Sequence, residues 1–347
     1  MPRTWDRSTS TRRAGEVDGT RHGRATEGER TDAPDETERT RASRLIDNLF
    51  SLEQDRCSVS NKIADVRVAL PTTVDEALDA VVAMPGAQFL AGGTDFCVEV
   101  SFGLRRPPGV VCLRRVTELR RAEVNPAEVV IGAGTTYTDM GTGDLVAALP
   151  ALAAAARTVG SPQIRNAGTI GGNVATASPA GDTLPLLAAL EARVTIRGPR
   201  TEREVGIDAL VTGVKRTALE PTELLVALKV PRIEGPQQFL KVGTRNAMVI
   251  AIASAAVVLD LGERRVRAAF GSVGPVPVRP HEAEDELSDA IDWTRLSASE
   301  AAVARFGELA AQACSPITDH RSTAAYRRRA VEIVASRGLR RCLHHVA

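Results

Sequence analysis

The sequence predicts an α+β protein in two ordered parts, and three observations carry that prediction. Short apolar strands in the first part run into glycine-rich turns and alternate with helical patterns. A Gly235-Pro236 break follows the strand-like segment Leu224 to Val230. Beyond it, strand-like runs come first and helical patterns last, the order of a separate α+β unit. With 347 residues, 43% hydrophobic and 25% charged, the chain has apolar material for two ordinary domains.

Residues 1–60 stand outside those parts. Arg, Thr, Glu, Asp, Ser and Gly dominate them with both charge signs mixed, so burial there does not offset ordering entropy. A disordered polar tail or an over-long start is expected, or a binding arm whose one apolar patch is Leu45 to Leu52. The first ordered domain is expected over residues 61–234 and the second over 237–343.

Within the first domain, Thr73-Val74-Asp75-Glu76 fits a capping box. Val74, Ala77, Leu78, Val81 and Val82 then mark one helical face, which Pro85-Gly86 ends. Gln88 to Ala91 reads as a strand leading into Gly92-Gly93-Thr94-Asp95. Further strands are expected at Val110 to Leu113 and Val129 to Ile131. A helix from Asp139 to Thr158, interrupted near Pro150, precedes a loop from Gly160 to Asp182. A helix over Leu184 to Leu190 and a strand over Val194 to Ile196 follow. In the second domain the apolar runs are Ile250 to Leu259 and Val266 to Phe270, with helices near Ser297 to Ala313 and Thr323 to Val334.

Several function classes drop out. A net charge of +1 and 3% aromatics supply neither the field nor the stacking surface for nucleic acid. Cys57, Cys97, Cys112, Cys314 and Cys342 form no C-x-x-C pair, so no metal or iron–sulfur ligand set is expected. Scattered thiols suit a reducing compartment. No apolar run reaches the roughly 20 residues of a membrane span. Arg12-Arg13 is followed by Ala14-Gly15-Glu16 instead of an apolar signal stretch, and a cytoplasmic location is expected.

Two glycine segments carry the chemistry. In Gly92-Gly93-Thr94-Asp95, paired glycines admit positive φ and close backbone approach, so that successive N–H groups can converge on a phosphate oxygen. Gly168-Thr169-Ile170-Gly171-Gly172-Asn173 repeats the pattern, and Asp182 follows nine residues after Asn173 as an acceptor for sugar hydroxyls. The first segment alone reads more readily as a tight turn, the second less so; together they suit a dinucleotide. Val129-Val130-Ile131-Gly132-Ala133-Gly134 opens like a Rossmann fingerprint, the mark of a stand-alone NAD-dependent dehydrogenase, but Tyr137 stands where the third glycine belongs. A strand-end turn beside the same ligand is the favoured reading of that stretch.

Phe89 to Asp95, Gly160 to Asn173, Ala175 to Asp182, Phe239 to Ala247, and Ile317 to Arg321 with Tyr326-Arg327 together resemble the FAD-binding subunits of xanthine dehydrogenases and aerobic carbon monoxide dehydrogenases. The resemblance spans Lys62 to Leu343. It implies a two-part FAD-binding domain followed by a smaller α+β domain. It also implies that Phe89, Leu90, Ala91, Gly92, Gly93, Thr94, Asp95 and Phe96, with Thr169, Ile170, Gly171, Gly172 and Asn173, wrap the FAD diphosphate. Asp182 would bind the sugar alcohol, Leu225 would line the flavin ring, and Lys241 would lie close by. Val159 stands where mammalian relatives carry a stacking aromatic, which leaves the ring's cover undefined.

The resemblance further implies a molybdopterin-binding large subunit and a [2Fe-2S] small subunit as partners, with NAD or another acceptor receiving electrons. The lead-in Gly235 to Phe239 looks closer to bacterial xanthine dehydrogenases; an aerobic carbon monoxide or aldehyde dehydrogenase is the alternative. No catalytic side chain is expected, because the cofactor carries the chemistry. His281 and His320 read as solvated, and His344-His345 as too isolated for a metal. Arg245 reads as a salt-bridge partner or a flavin or acceptor contact, and Arg327-Arg328-Arg329 as a solvated or subunit-facing surface.

Overall fold

The computed structural model describes residues 66–344, so the tail expected over residues 1–60 lies outside the described residues. Strands β1 (Arg67–Ala69), β2 (Gln88–Leu90) and β3 (Gly109–Cys112) form a parallel sheet in the order β1-β3-β2. The Val74–Ala83 helix links the first two and buries Val74, Ala77, Leu78 and Val81 of the expected face, whereas Val82 is exposed because the helix turn carries it past the buried stripe. Thr73 caps it, its hydroxyl accepting from the Glu76 N–H at 3.1 Å. The Glu76 carboxylate turns instead to the amide and hydroxyl of Thr72, so the box closes one residue early.

The second sheet is antiparallel throughout. It comprises β4 (Ala122–Val124), β5 (Glu128–Gly132), β6 (Arg193–Arg197), β7 (Glu202–Gly206) and, beyond a small ribbon of β8 (Val211–Gly213) and β9 (Arg216–Thr217), β10 (Leu224–Pro231). The order is β4-β5-β10-β6-β7. Because β5 runs antiparallel to both neighbours, Gly132-Ala133-Gly134 is not the turn of a parallel βαβ unit. The stand-alone NAD-dependent dehydrogenase reading fails on that topology. A Cβ on Gly132 would lie 2.3 Å from the Leu119 carbonyl oxygen, so this glycine serves backbone packing.

Two stretches differ from expectation. The single interrupted helix over Asp139 to Thr158 is three helices, Tyr137–Met140, Gly143–Ala148 and Pro150–Thr158. Gly143 at φ +61° and Pro150 in the first helical turn make the breaks. The expected loop from Gly160 to Asp182 contains the helices Pro162–Ala167 and Ile170–Thr176. Their glycines oppose helix by intrinsic preference, whereas side-chain caps from Ser161 and Thr169 supply the starts.

The second domain opens with a meander of β11 (Gln237–Val242), β12 (Ala253–Asp260) and β13 (Arg265–Gly271). Helices His281–Ala290, Glu300–Ala313 and Ala324–His344 follow, so strands do precede helices. All eight residues of β12 are buried. Ala255, Val257 and Leu259 pack into the core shared with the following helices, while Ala256, Val258 and Ala269 join the core of the first domain. A sheet covered on both faces needs an unbroken apolar run, which the sequence carries. No helix among the described residues is long and apolar enough to cross a membrane.

Candidate functional site

A cavity of about 580 Å³ opens between the parallel sheet and the antiparallel one. All of Phe89 to Phe96 line it, as do Thr169, Gly171, Gly172, Asn173 and Leu225. Of the other expected site residues, Ile170 is fully buried in the core, and Asp182 and Lys241 stand outside the lining, paired with each other.

The wall from Gly92 to Phe96 follows directly from the end of β2. Gly93 adopts φ +72°, the positive value that two glycines in a turn make available. Among the described residues, no acceptor takes the N–H of Gly92, Gly93, Thr94, Asp95 or Phe96. Five successive unengaged amides therefore run along this wall into the Phe96–Ser101 helix, whose N-cap Asp95 makes no side-chain capping bond. Such a row presents partial positive charge to an anion.

The opposite wall is built differently. Thr169 caps its helix by accepting from the Gly172 N–H at 3.0 Å. Ile170 and Gly171 donate to the carbonyls of Thr135 and Ala133 at 3.0 and 2.9 Å. Ala133 in turn donates at 2.9 Å to the carbonyl of Val226, within a bulge of β10 next to Leu225. A Cβ on Gly171 would lie 2.5 Å from that of Ala133, so its small size serves helix-to-strand contact. A Cβ on Gly92 would lie 1.9 Å from the Ala167 carbonyl oxygen. The two glycine segments thus touch, backbone against backbone.

Several lining residues escaped the sequence reading. Arg105, Arg114 and Arg120 bring cations to the cavity. Arg105 lies 5.1 Å from the centroid of the Phe96 ring, pairs with Glu99 at 2.8 Å and donates to Gln88 at 3.1 Å. The doublets Arg105-Arg106, Arg114-Arg115 and Arg120-Arg121 were the available signal. Tyr137, also in the lining, is pressed into the core, and burial, with Asp182 and Asp95 nearby, pushes its phenol above the usual range.

Asp182 and Lys241 form an ion pair at 2.5 Å, both nearly inaccessible. Asp182 Oδ2 also accepts from the Thr158 hydroxyl at 3.0 Å, and Lys241 donates to the Thr158 carbonyl at 3.3 Å. Asp182 Oδ1 is buried with no donor. Burial raises the Asp182 pKa above the ordinary carboxylate value, against the opposing pull of Lys241. Lys241 also borders a second cavity, with Arg157, Arg165 and Arg245.

Arg245 makes no salt bridge among the described residues: its guanidinium donates to the carbonyls of Ala247 and Met248 in its own loop. His320 is exposed, as expected, and His281 is exposed beside Glu284. Arg328 and Arg329 are exposed, but Arg327 is not; at 1% accessibility it is a core residue, which corrects the solvated reading. Its alternation with exposed neighbours follows the helical turn, and backbone carbonyls far along the chain accept from its Nη1. No cluster of three or more metal-ligating side chains occurs among the described residues. Cys97 and Cys112 line the first cavity, whereas burial pushes the thiols of Cys314 and Cys342 up to about 12.

A dinucleotide with a sugar alcohol asks for anion-binding amides, an acceptor for hydroxyls and an apolar lining. The unengaged amides of Gly92 to Phe96 and the side chains of Leu113, Leu119 and Leu225 fit those needs within the lining, and the buried Asp182 Oδ1, outside it, is an acceptor without a donor. The comparisons point the same way. Residues 64–233 match the FAD binding domain in molybdopterin dehydrogenase, and residues 238–342 match the CO dehydrogenase flavoprotein C-terminal domain. The carbon monoxide dehydrogenase medium chain of Hydrogenophaga pseudoflava is 32% identical over 264 residues, 74% of this chain and 90% of that one. The xanthine dehydrogenase FAD-binding subunit of Escherichia coli O157:H7 is 33% identical over 230 residues, 63% of this chain and 77% of that one. A solved structure of carbon monoxide dehydrogenase from Hydrogenophaga pseudoflava matches at a TM-score of 0.72 and 29% identity, covering 80% of this chain and 96% of that chain.

Proposed function

We infer the working role of this chain from its family: it belongs to the FAD-binding subunits of the molybdenum hydroxylases. It is the flavoprotein component of an oxidoreductase. FAD, when bound, would supply the redox chemistry, able to exchange electrons singly or in pairs. In our reading, the amides of Gly92 to Phe96 bind the diphosphate, and Thr169, Gly172 and Asn173 close the opposite side. The Asp182 carboxylate, held by Lys241 and Thr158, offers Oδ1 to a hydroxyl of the sugar alcohol. Leu225, presented beside the β10 bulge, lines the ring's approach and keeps water from it.

The observation that carries this assignment is the run of five unengaged amides facing a cavity whose other wall touches the first. We place the chain in a complex with a molybdopterin-binding large subunit and a [2Fe-2S] small subunit, passing electrons onward to NAD or another acceptor. The Gly235 to Phe239 lead-in favours a xanthine dehydrogenase-like complex. The test is purification of the whole complex, an absorbance spectrum, and reduction by xanthine, carbon monoxide and an aldehyde in parallel. One FAD per chain with bleaching by xanthine is the expected result. A colourless chain after reconstitution with excess FAD would refute the cofactor site, and bleaching by another substrate alone would refute the xanthine reading.

A further inference from the structure

Arg327 grips the open end of a strand pair: Ile252 lies just before β12 and Ser272 just after β13, next to the paired residues Ser254 and Gly271. Its Nη1 donates to the Ile252 carbonyl at 2.6 Å and to the Ser272 carbonyl at 2.9 Å. Its Nη2 pairs with Asp319 Oδ1 at 2.8 Å. Asp319 is itself held by the guanidinium and amide of Arg321 and the amide of Ser322, which keep its carboxyl ionised well below the usual range. Nothing about that buried fork is explained by surface charge.

Each arm of the fork leads to the Asp182–Lys241 pair. Along the first, the Ser272 N–H donates to the Pro179 carbonyl at 2.7 Å, three residues before Asp182. Ser272 sits at φ +64°, a strained value for a side-chain-bearing residue, so something must hold it there. Along the second, the Ile252 N–H donates to the Val242 carbonyl at 2.8 Å, adjacent to Lys241 on β11. The arms meet where Lys241 Nζ reaches Asp182 Oδ2. The result is a closed circuit of hydrogen bonds and short backbone stretches from the last helix through both domains.

We propose that Arg327 is a positioning residue for the flavin site: it fixes the two backbone segments that set the geometry of the Asp182–Lys241 pair. This rests on the reading that Asp182 faces the cofactor. Arginine suits the task because its planar fork reaches two carbonyls and a carboxylate at once, which the single ammonium of lysine does not match. The buried, unpaired Nε is the part of the group left over from that arrangement.

The test uses the full-length chain reconstituted with FAD. Arg327→Lys keeps the charge and loses the fork, and Asp319→Asn weakens the anchor from outside the core. Each is expected to raise the FAD dissociation constant about tenfold, a loss on the order of one lost hydrogen-bonded positioning contact. Each is also expected to shift the visible absorbance of the bound flavin. Leu339→Ala, a cavity in the same helix, is the control: it lowers the unfolding midpoint and leaves affinity and spectrum unchanged. Combined with Asp182→Asn, the Arg327→Lys effect on affinity is expected to shrink, the mark of coupled sites. Should Arg327→Lys fail to fold, Asp319→Asn decides alone. If Asp182→Asn alters affinity while the Arg327 and Asp319 variants do not, or if their effects simply add, the positioning role is overturned. If Asp182→Asn itself changes nothing, the assignment of Asp182 to the cofactor falls instead.

Discussion

The Gly92-Gly93 turn and the Gly171-Gly172 pair bound one cavity from opposite sides, yet they present their amides in opposite directions. The first leaves its N–H groups unengaged and uses positive φ at Gly93 to aim them. The second directs its amides back into the protein, onto Ala133 and Thr169, and uses smallness to seat a helix against β5. Two glycines in a row thus report a backbone that must come close to something. What it approaches, a ligand or another strand of the same chain, is decided by topology.

The contrast can be broken most sharply at Gly171. Replacing it with valine sets a branched carbon where only 2.5 Å separates a Cβ from Ala133. The expected loss is about 3 kcal/mol of stability, measured by urea unfolding, together with loss of bound flavin. Stoichiometric FAD in that variant would mean that the helix does not pack as described.

Gly93→Ala sharpens the other half. Here the fold should persist, since the nearest obstacle is the Cys97 side chain, but positive φ is strained for alanine by about 1–2 kcal/mol. A roughly tenfold weaker FAD affinity with unchanged far-ultraviolet circular dichroism is expected. Equal affinity would show that the first turn does not orient its amides for the ligand.

A smaller effect concerns Asp182. Its folded pKa lies above the ordinary carboxylate value, so between the two the folded chain binds more protons than the unfolded one. Its contribution to stability is therefore greatest below the ordinary value and is lost as pH rises through the raised one. In the flavin-free chain, Asp182→Asn should remove that slope in urea midpoints recorded across the window; parallel slopes in both proteins would contradict the burial argument. The smallest effect is none: deleting residues 1–55, upstream of the family match at residue 64, should leave flavin content unchanged.

Local patterns were legible where the physics is local. The Thr73 cap, the turn after β2 and the apolar run of β12 each follow from neighbours within a few positions. The helices Pro162–Ala167 and Ile170–Thr176 were hidden because their glycines lower helix propensity, while packing against Ala133 and Tyr137 supplies what propensity withholds. Arg327 was misread for a related reason. Three consecutive arginines look like surface, and the acceptors that bury one of them lie 75 and 55 residues away. For Asp182 the acidic side chain and its place near a glycine segment were visible, but its partner lies 59 residues on, beyond any spacing rule.

The placement of sulfur has a practical consequence. Cys314 and Cys342 are shut inside the second core, where thiols stay protonated and inert, while Cys97 and Cys112 border the cavity between the two sheets. Cys97 Sγ would lie only 3.0 Å from a Cβ on Gly93, beside the amides that face the cavity. Among the described residues, an alkylating reagent therefore meets its accessible targets at that rim, and its labelling rate at Cys97, followed by mass spectrometry, should slow when FAD is added. Ordinary thiol chemistry becomes a gauge of occupancy that needs no colour and no partner subunit.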